Sequence, residues 1–219
     1  MDFIKKLKFL KYRNNPYFKK FYREIKEKSL DKIVFTCFDL ETTGLDVKKD
    51  EIISIGAVQI KGLKVDLSTG FYTVVKPEKK PEKDTILIHG ITPSQLEDAP
   101  SAEEVIPEFL EYIRGTVLVG YFVTFDIQIL SRYTLKMYNL PVLNPYIDLI
   151  ELYQEKLSRS YVPVEKRKIK TLEELAEEYS VPVENRHNAF YDSLITALIF
   201  IAMVKKDRFT VEKYLSKIL

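Results

Sequence analysis

Residues 33 to 38 read Ile-Val-Phe-Thr-Cys-Phe, an almost unbroken apolar run. A strand with one wet face alternates apolar and polar residues; a strand apolar at successive positions has to be covered on both faces. The run ends in Asp39-Leu40-Glu41. Residues two apart in a strand project from the same face, so Asp39 and Glu41 stand side by side where the strand meets its loop. Two carboxylates sharing a partly buried site repel unless a cation or a proton offsets their charge. The strand thus carries the beginnings of a metal site, and the rest of the chain has to supply its remaining ligands.

The 219 residues, 46% apolar and 30% charged, suffice for one well-cored domain with an appendage. The net charge of +2 is unevenly spread: residues 1 to 31 hold 10 Lys/Arg and 4 Asp/Glu, or +6, and the remainder is −4. We therefore divide the chain into a basic helical arm (1–31), a main domain (32–206) and a C-terminal helical tail (207–219). The single cysteine, Cys37, excludes an intrachain disulfide, and its place in the apolar run makes it a buried structural thiol. The longest apolar run, 194–204, is shorter than the roughly 20 residues of a membrane span. With no secretory signal pattern, the expectation is a soluble, cytoplasmic protein without a membrane partner.

In the arm, residues 2–13 and 16–28 read as two short basic helices broken at Asn14-Asn15-Pro16. The second has Phe18, Phe21, Tyr22 and Ile25 at helical spacing with lysines between them, which suits packing on the body or a nucleic-acid or partner contact. Runs 51–60 and 70–75 are β-rich and continue the first strand as a three-stranded meander. Thr92 caps a short helix begun by Pro93, and 102–114 is helical by periodicity. Then come a short strand (116–120), a helix from 125 to about 138 capped by Thr124, and a short strand or helix start at 145–149, where Asp148 reads as a helix cap. Thr171 and Glu174 form a capping box, 189–206 is a strongly apolar central helix, and 209–219 forms a last amphipathic helix. The order gives an α/β fold with a mixed sheet. Residues 156–170 hold six basic residues against Glu165 alone, a second candidate for phosphate contact after the arm.

Asp126 falls in the first turn of a helix just past a strand end, and Asp192 lies inside an apolar helix, where an acid is costly unless partnered. With Asp39 and Glu41 they make four acids, accompanied by His187, at strand ends and helix starts, where open α/β sheets hold ligands.

Asp39-x-Glu41 within Phe-Asp-Leu-Glu-Thr-Thr-Gly-Leu, Asp126 in the Phe125-Asp126 pair, and His187-x-Ala189-x-x-Asp192 together resemble the three motifs of the DEDDh (DnaQ-like) 3′→5′ exonucleases, the family that includes the proofreading epsilon subunit of DNA polymerase III. The resemblance covers roughly residues 33–204. It departs at the second motif, where family members often have His-Asn-Ala before the Phe-Asp pair and this chain has Tyr121-Phe122-Val123-Thr124.

The resemblance implies a ribonuclease H-like mixed sheet flanked by helices. It also implies two Mg²⁺ or Mn²⁺ ions held by Asp39, Glu41, Asp126 and Asp192, and stepwise release of nucleoside 5′-monophosphates from 3′ ends. Hard cations prefer oxygen ligands, and two of them can clamp the attacking and leaving oxygens of a phosphodiester. His187 would be the general base, an imidazole ordinarily titrating near about pH 6.5. Thr42, Thr43, Gly44 and Leu45 are candidates for holding the terminal nucleotide, with His89 either nearby or serving as a loop-stabilising hydrogen-bond donor. The expected substrate is a single-stranded nucleic acid 3′ end, DNA favoured over RNA, with a DNA polymerase as candidate partner in proofreading or repair. RNA 3′-end trimming and a non-catalytic nucleic-acid or polymerase-binding module are the alternatives.

Overall fold

A computed structural model describes residues 9–79, 89–160 and 162–219. Five strands, β1 (Phe35–Thr42), β2 (Ile52–Lys61), β3 (Lys64–Val74), β4 (Val117–Gly120) and β5 (Tyr146–Asp148), form one sheet in the order β3-β2-β1-β4-β5. The first three strands are the expected antiparallel meander, whereas β4 and β5 run parallel to β1. The apolar run is therefore the middle of the sheet. Its even and odd positions feed different cores: Phe38 and Leu40 pack on one face with Ile106, Phe109, Ile129 and Leu130, while Phe35 and Cys37 pack on the other with Ile199, Phe200 and Met203. The Phe35 and Phe200 rings lie 4.9 Å apart. Each such fully buried side chain contributes roughly 1.5–3 kcal/mol. Cys37 is free and buried, and burial pushes its thiol up.

The helices cover both faces. On one side are α3 (Ala102–Tyr112), whose Ser101 and Glu104 form a capping box, and α4 (Val123–Tyr138); α2 (Pro93–Glu97) is the short helix capped by Thr92. On the other are α5 (Leu149–Arg159), α6 (Leu172–Glu178), α7 (Ala189–Lys206) and α8 (Arg208–Ile218). Helix α7 lies against β1 and β2 and is apolar on most sides because it is central. The capping box of α6 is formed by Thr171 and Glu174 as the spacing requires. Among the described residues no helix is long and apolar enough to cross a membrane.

Two local expectations change. In the arm, residues 9–12 are helical and α1 (Phe18–Phe21) is a single turn, but 22–28 are not helical; residues 2–8 of the first expected helix lie outside the described residues. Phe21 is buried on the α3–α4 side and Leu30 and Ile33 on the α7 side, so the chain has to cross the body in a few residues. An extended segment advances about 3.3 Å per residue where a helix advances 1.5 Å. The arm is held by packing: Asn15 donates to the carbonyls of Tyr138 and Asn139 at 2.8 and 3.1 Å, and Phe21 lies 4.8 Å from the Tyr138 ring. The second change is at α4, which starts at Val123 with Phe122 as its cap, so Thr124 is already inside the first turn.

Asp39 pairs with Gly56 across the β1–β2 ladder. A Cβ on Gly56 would stand 2.1 Å from both the Ala189 carbonyl carbon and the Phe190 nitrogen. The missing side chain is what lets the start of α7 rest directly on the sheet beside Asp39. Gly56→Ala should therefore lower stability by about 1–3 kcal/mol through overpacking against rigid backbone, read from urea melts; an unchanged midpoint would refute the contact.

Candidate metal centre

The C-terminal end of β1 presents Asp39 and Glu41 on the α7 face, the side of Phe35 and Cys37. Helix α7 answers from above with Asp192, which is 5% exposed. Its start is fixed by Asn188, whose side chain accepts hydrogen bonds from Phe190 and Tyr191 at 3.1 and 3.3 Å. Each of Asp39, Glu41 and Asp192 offers a carboxylate oxygen within 4.8 Å of the other two. Asp126, buried in the first turn of α4, stands close enough for its charge to act on Asp39, and its own carboxylate faces the charges of Asp148 and Glu41. Two charges at such a separation repel by roughly 3 kcal/mol at an effective dielectric constant of about 20.

The titration behaviour follows. Burial, then Asp126, Glu41 and Asp192, push Asp39 well above the usual carboxylate range. Burial raises Asp126 likewise, although backbone N–H groups of its own residue and of Leu40 pull in the other direction. Glu41 is pushed up to about 7 by burial and Asp192.

The Arg186 guanidinium opposes this, lowering Asp39, Glu41 and Asp192 alike. Arg186 forms an ion pair through Nη1 with Asp192 Oδ1 and donates through Nε to Glu173 Oε1 at 2.6 Å. Sequence reasoning missed it; the available signal was a basic residue immediately before His187 in a cluster otherwise made of acids. It also missed Gly56.

His187 is exposed, with a left-handed backbone (φ 61°), and its amide donates to Asp192 Oδ2 at 3.2 Å. The turn thus braces the Asp192 carboxylate through the His187 backbone. Asp148 is the cap of α5, accepting from Ile150 at 3.0 Å and from the Phe122 amide at 3.2 Å. In the loop after β1, the Thr42 hydroxyl donates to the Gly44 carbonyl at 2.7 Å, and Thr43 donates to Asp50 at 3.0 Å while accepting from the Glu51 amide. A Cβ on Gly44 would fall 2.6 Å from the Asp50 carboxylate, and Leu45 is 86% exposed. His89 is buried; its Nδ1 accepts from the Ile91 amide at 3.0 Å, and its Nε2 has no hydrogen-bond partner among the described residues. The expected loop role is thus performed as an acceptor.

The donor set fits a hard divalent cation. All ligands are carboxylate oxygens, and Asp192 Oδ1 is buried with no hydrogen-bond partner beyond its ion pair. In the metal-free chain Glu41 holds its proton more tightly folded (about 7) than unfolded (4.5). The folded state then carries a proton that the unfolded state releases, so stability falls as pH rises through that window. Thermal melts in EDTA should show Tm declining from pH 5 to pH 7.5, less steeply in Glu41→Gln; equal slopes would remove Glu41 from the cluster's electrostatics.

Residues 36–200 match the exonuclease family model described as "RNase_T: Exonuclease". The DNA polymerase III subunit epsilon of Aquifex aeolicus is 34% identical over 172 residues, 78% of this chain and 81% of that protein. The PolC-type DNA polymerase III of Caldanaerobacter subterraneus is 39% identical over 172 residues, also 78% of this chain, and the match spans only 12% of that much longer protein. Among solved structures, E. coli Exonuclease I in complex with a dA16 oligonucleotide aligns with a TM-score of 0.71 at 18% identity, over 85% of this chain and 43% of that one, which supports the expected ribonuclease H-like fold. A match over most of the chain, with the acidic cluster inside it, establishes that the chain belongs to the exonuclease family.

Proposed function

We propose that the chain is a divalent-metal-dependent 3′→5′ exonuclease that shortens single-stranded DNA from its 3′ end and releases nucleoside 5′-monophosphates. The observation that carries this reading is the convergence of Asp39, Glu41 and Asp192 within 4.8 Å, with Asp126 beside them and His187 at the rim, in a member of the exonuclease family. Asp39, Glu41, Asp126 and Asp192 would hold two Mg²⁺ or Mn²⁺ ions. Bound there, such ions polarise the scissile phosphate and stabilise charge on the attacking and leaving oxygens.

The chain's own residues do the rest. The imidazole of His187 accepts the proton of the attacking water, a role worth about 10²–10⁴ in rate. Its left-handed turn, held by the hydrogen bond that the His187 amide donates to Asp192, sets where that imidazole can reach. The braced loop from Thr42 to Gly44 presents its backbone and the exposed Leu45 to the terminal nucleotide. The two relatives described above are DNA polymerase III proteins, which favours DNA over RNA, a polymerase as partner and the cytoplasm as compartment. The six basic residues of 156–170 are a candidate path for the strand, although Lys156 and Lys170 are already paired with Glu178.

With 5′-labelled DNA and RNA oligonucleotides, stepwise shortening should occur with Mg²⁺ and stop with EDTA or in Asp192→Ala, DNA being consumed faster. Binding without shortening in every condition would sink the reading. His187→Ala should lose at least about a hundredfold in kcat while keeping the metal-dependent rise in Tm. Wild-type turnover in that variant would remove His187 from the base role.

A further inference from the structure

Phe122 combines two properties that rarely occur together. Its ring is 46% exposed, and its backbone is left-handed, with φ 52° and ψ 34°. An exposed aromatic is ordinary by itself. A left-handed backbone is unfavourable for side chains other than glycine and is best tolerated by Asn or Asp, and family members often have Asn in this part of the second motif. A bulky residue in such a conformation persists only where its surroundings over-determine it. Here they do: the Phe122 amide donates to the buried Asp148 carboxylate at 3.2 Å, and the Tyr121 ring packs edge-on against Phe122 at 4.7 Å between centroids. The Tyr121 hydroxyl in turn donates to the Lys170 carbonyl at 3.2 Å.

The position is equally specific. Cys37 stands opposite Val119 in the parallel β1–β4 ladder, so two residues further on Tyr121 is level with Asp39. Phe122 follows at the same edge of the sheet and opens the helix whose first turn carries Asp126. Beside it, through Tyr121, runs the basic stretch 167–170, whose Lys168 is exposed. A rigid aromatic between a carboxylate cluster and a cationic stretch matches what a single strand offers: a flat base to stack and a phosphate to pair.

We infer that Phe122 is a stacking platform for a nucleobase of the single-stranded substrate, a contact this chain makes where its second motif departs from the family pattern. The inference rests on the nuclease reading above. Base stacking is tolerant of sequence, because every base has a π-face, so Phe122 adds grip without base preference.

The protein contains no tryptophan, so Phe122→Trp introduces a lone tryptophan at the site, whose emission is read apart from that of the 14 tyrosines. Titrated in EDTA with an eight-residue oligo-dT, its emission should be quenched to saturation; an abasic oligonucleotide of equal length should leave it unchanged. Phe122→Asn should raise Tm, because Asn accepts the left-handed backbone, and should raise KM for the oligo-dT by about five- to a hundredfold. If the wild type cuts oligo-dT while Phe122→Trp stays silent, or is quenched equally by the abasic strand, the stacking inference fails alone. An unchanged KM in Phe122→Asn also overturns it. If the wild type neither cuts nor binds oligo-dT, the nuclease reading fails and takes this inference with it.

Discussion

The contact on which the site depends is between backbones. Gly56 faces Asp39 across the ladder, and the first residues of α7 lie where any side chain at position 56 would be. Asp192 comes from the helix and Asp39 from the strand; how far apart they sit is set by how closely the helix can approach. Protein interiors are packed too tightly to absorb a methyl group at such a crossing without moving one element. His187 and Asn188 inherit their places from this approach, since they form the turn that leads into the helix.

A second frame holds the other side. Asp148 ends β5, caps α5 and accepts the amide of Phe122, so one buried carboxylate joins the edge strand to the start of α4 and hence to Asp126. Two parallel strands ending beside β1 are what make this possible, because they deliver their C-terminal loops to the same edge as Asp39 and Glu41. Phe122 belongs to that frame, its amide bonded to Asp148 and its exposed ring packed on Tyr121.

Much of this was legible in the sequence. The continuous apolar run at 33–38 required a doubly covered strand, and β1 is the central strand of the sheet, feeding a core on each face. The acids announced themselves because an unpaired carboxylate in an apolar helix or strand end is costly. What local reasoning missed were long-range effects. Residues 22–28 have helical spacing, but the chain must cross the body there, and tertiary demand overrides propensity. The start of α4 was misplaced because it is capped by a phenylalanine in a conformation that propensity argues against, and such conflicts gather at strained or functional sites. Arg186 was illegible because its partners, Asp192 and Glu173, lie on two different helices.

That arginine changes how a cluster of buried acids can fold. A cluster of carboxylates with no counter-ion would resist folding, but here a tethered guanidinium lies between α6 and α7 and neutralises part of the charge. The chain can therefore reach its fold with part of the cluster's charge offset from within. Any divalent ion drawn to these carboxylates would compete with the guanidinium for Asp192 rather than fill a void. Its apparent affinity would be reduced to the extent that Arg186 still holds Asp192, so that one ion pair would set how much free cation the cluster needs.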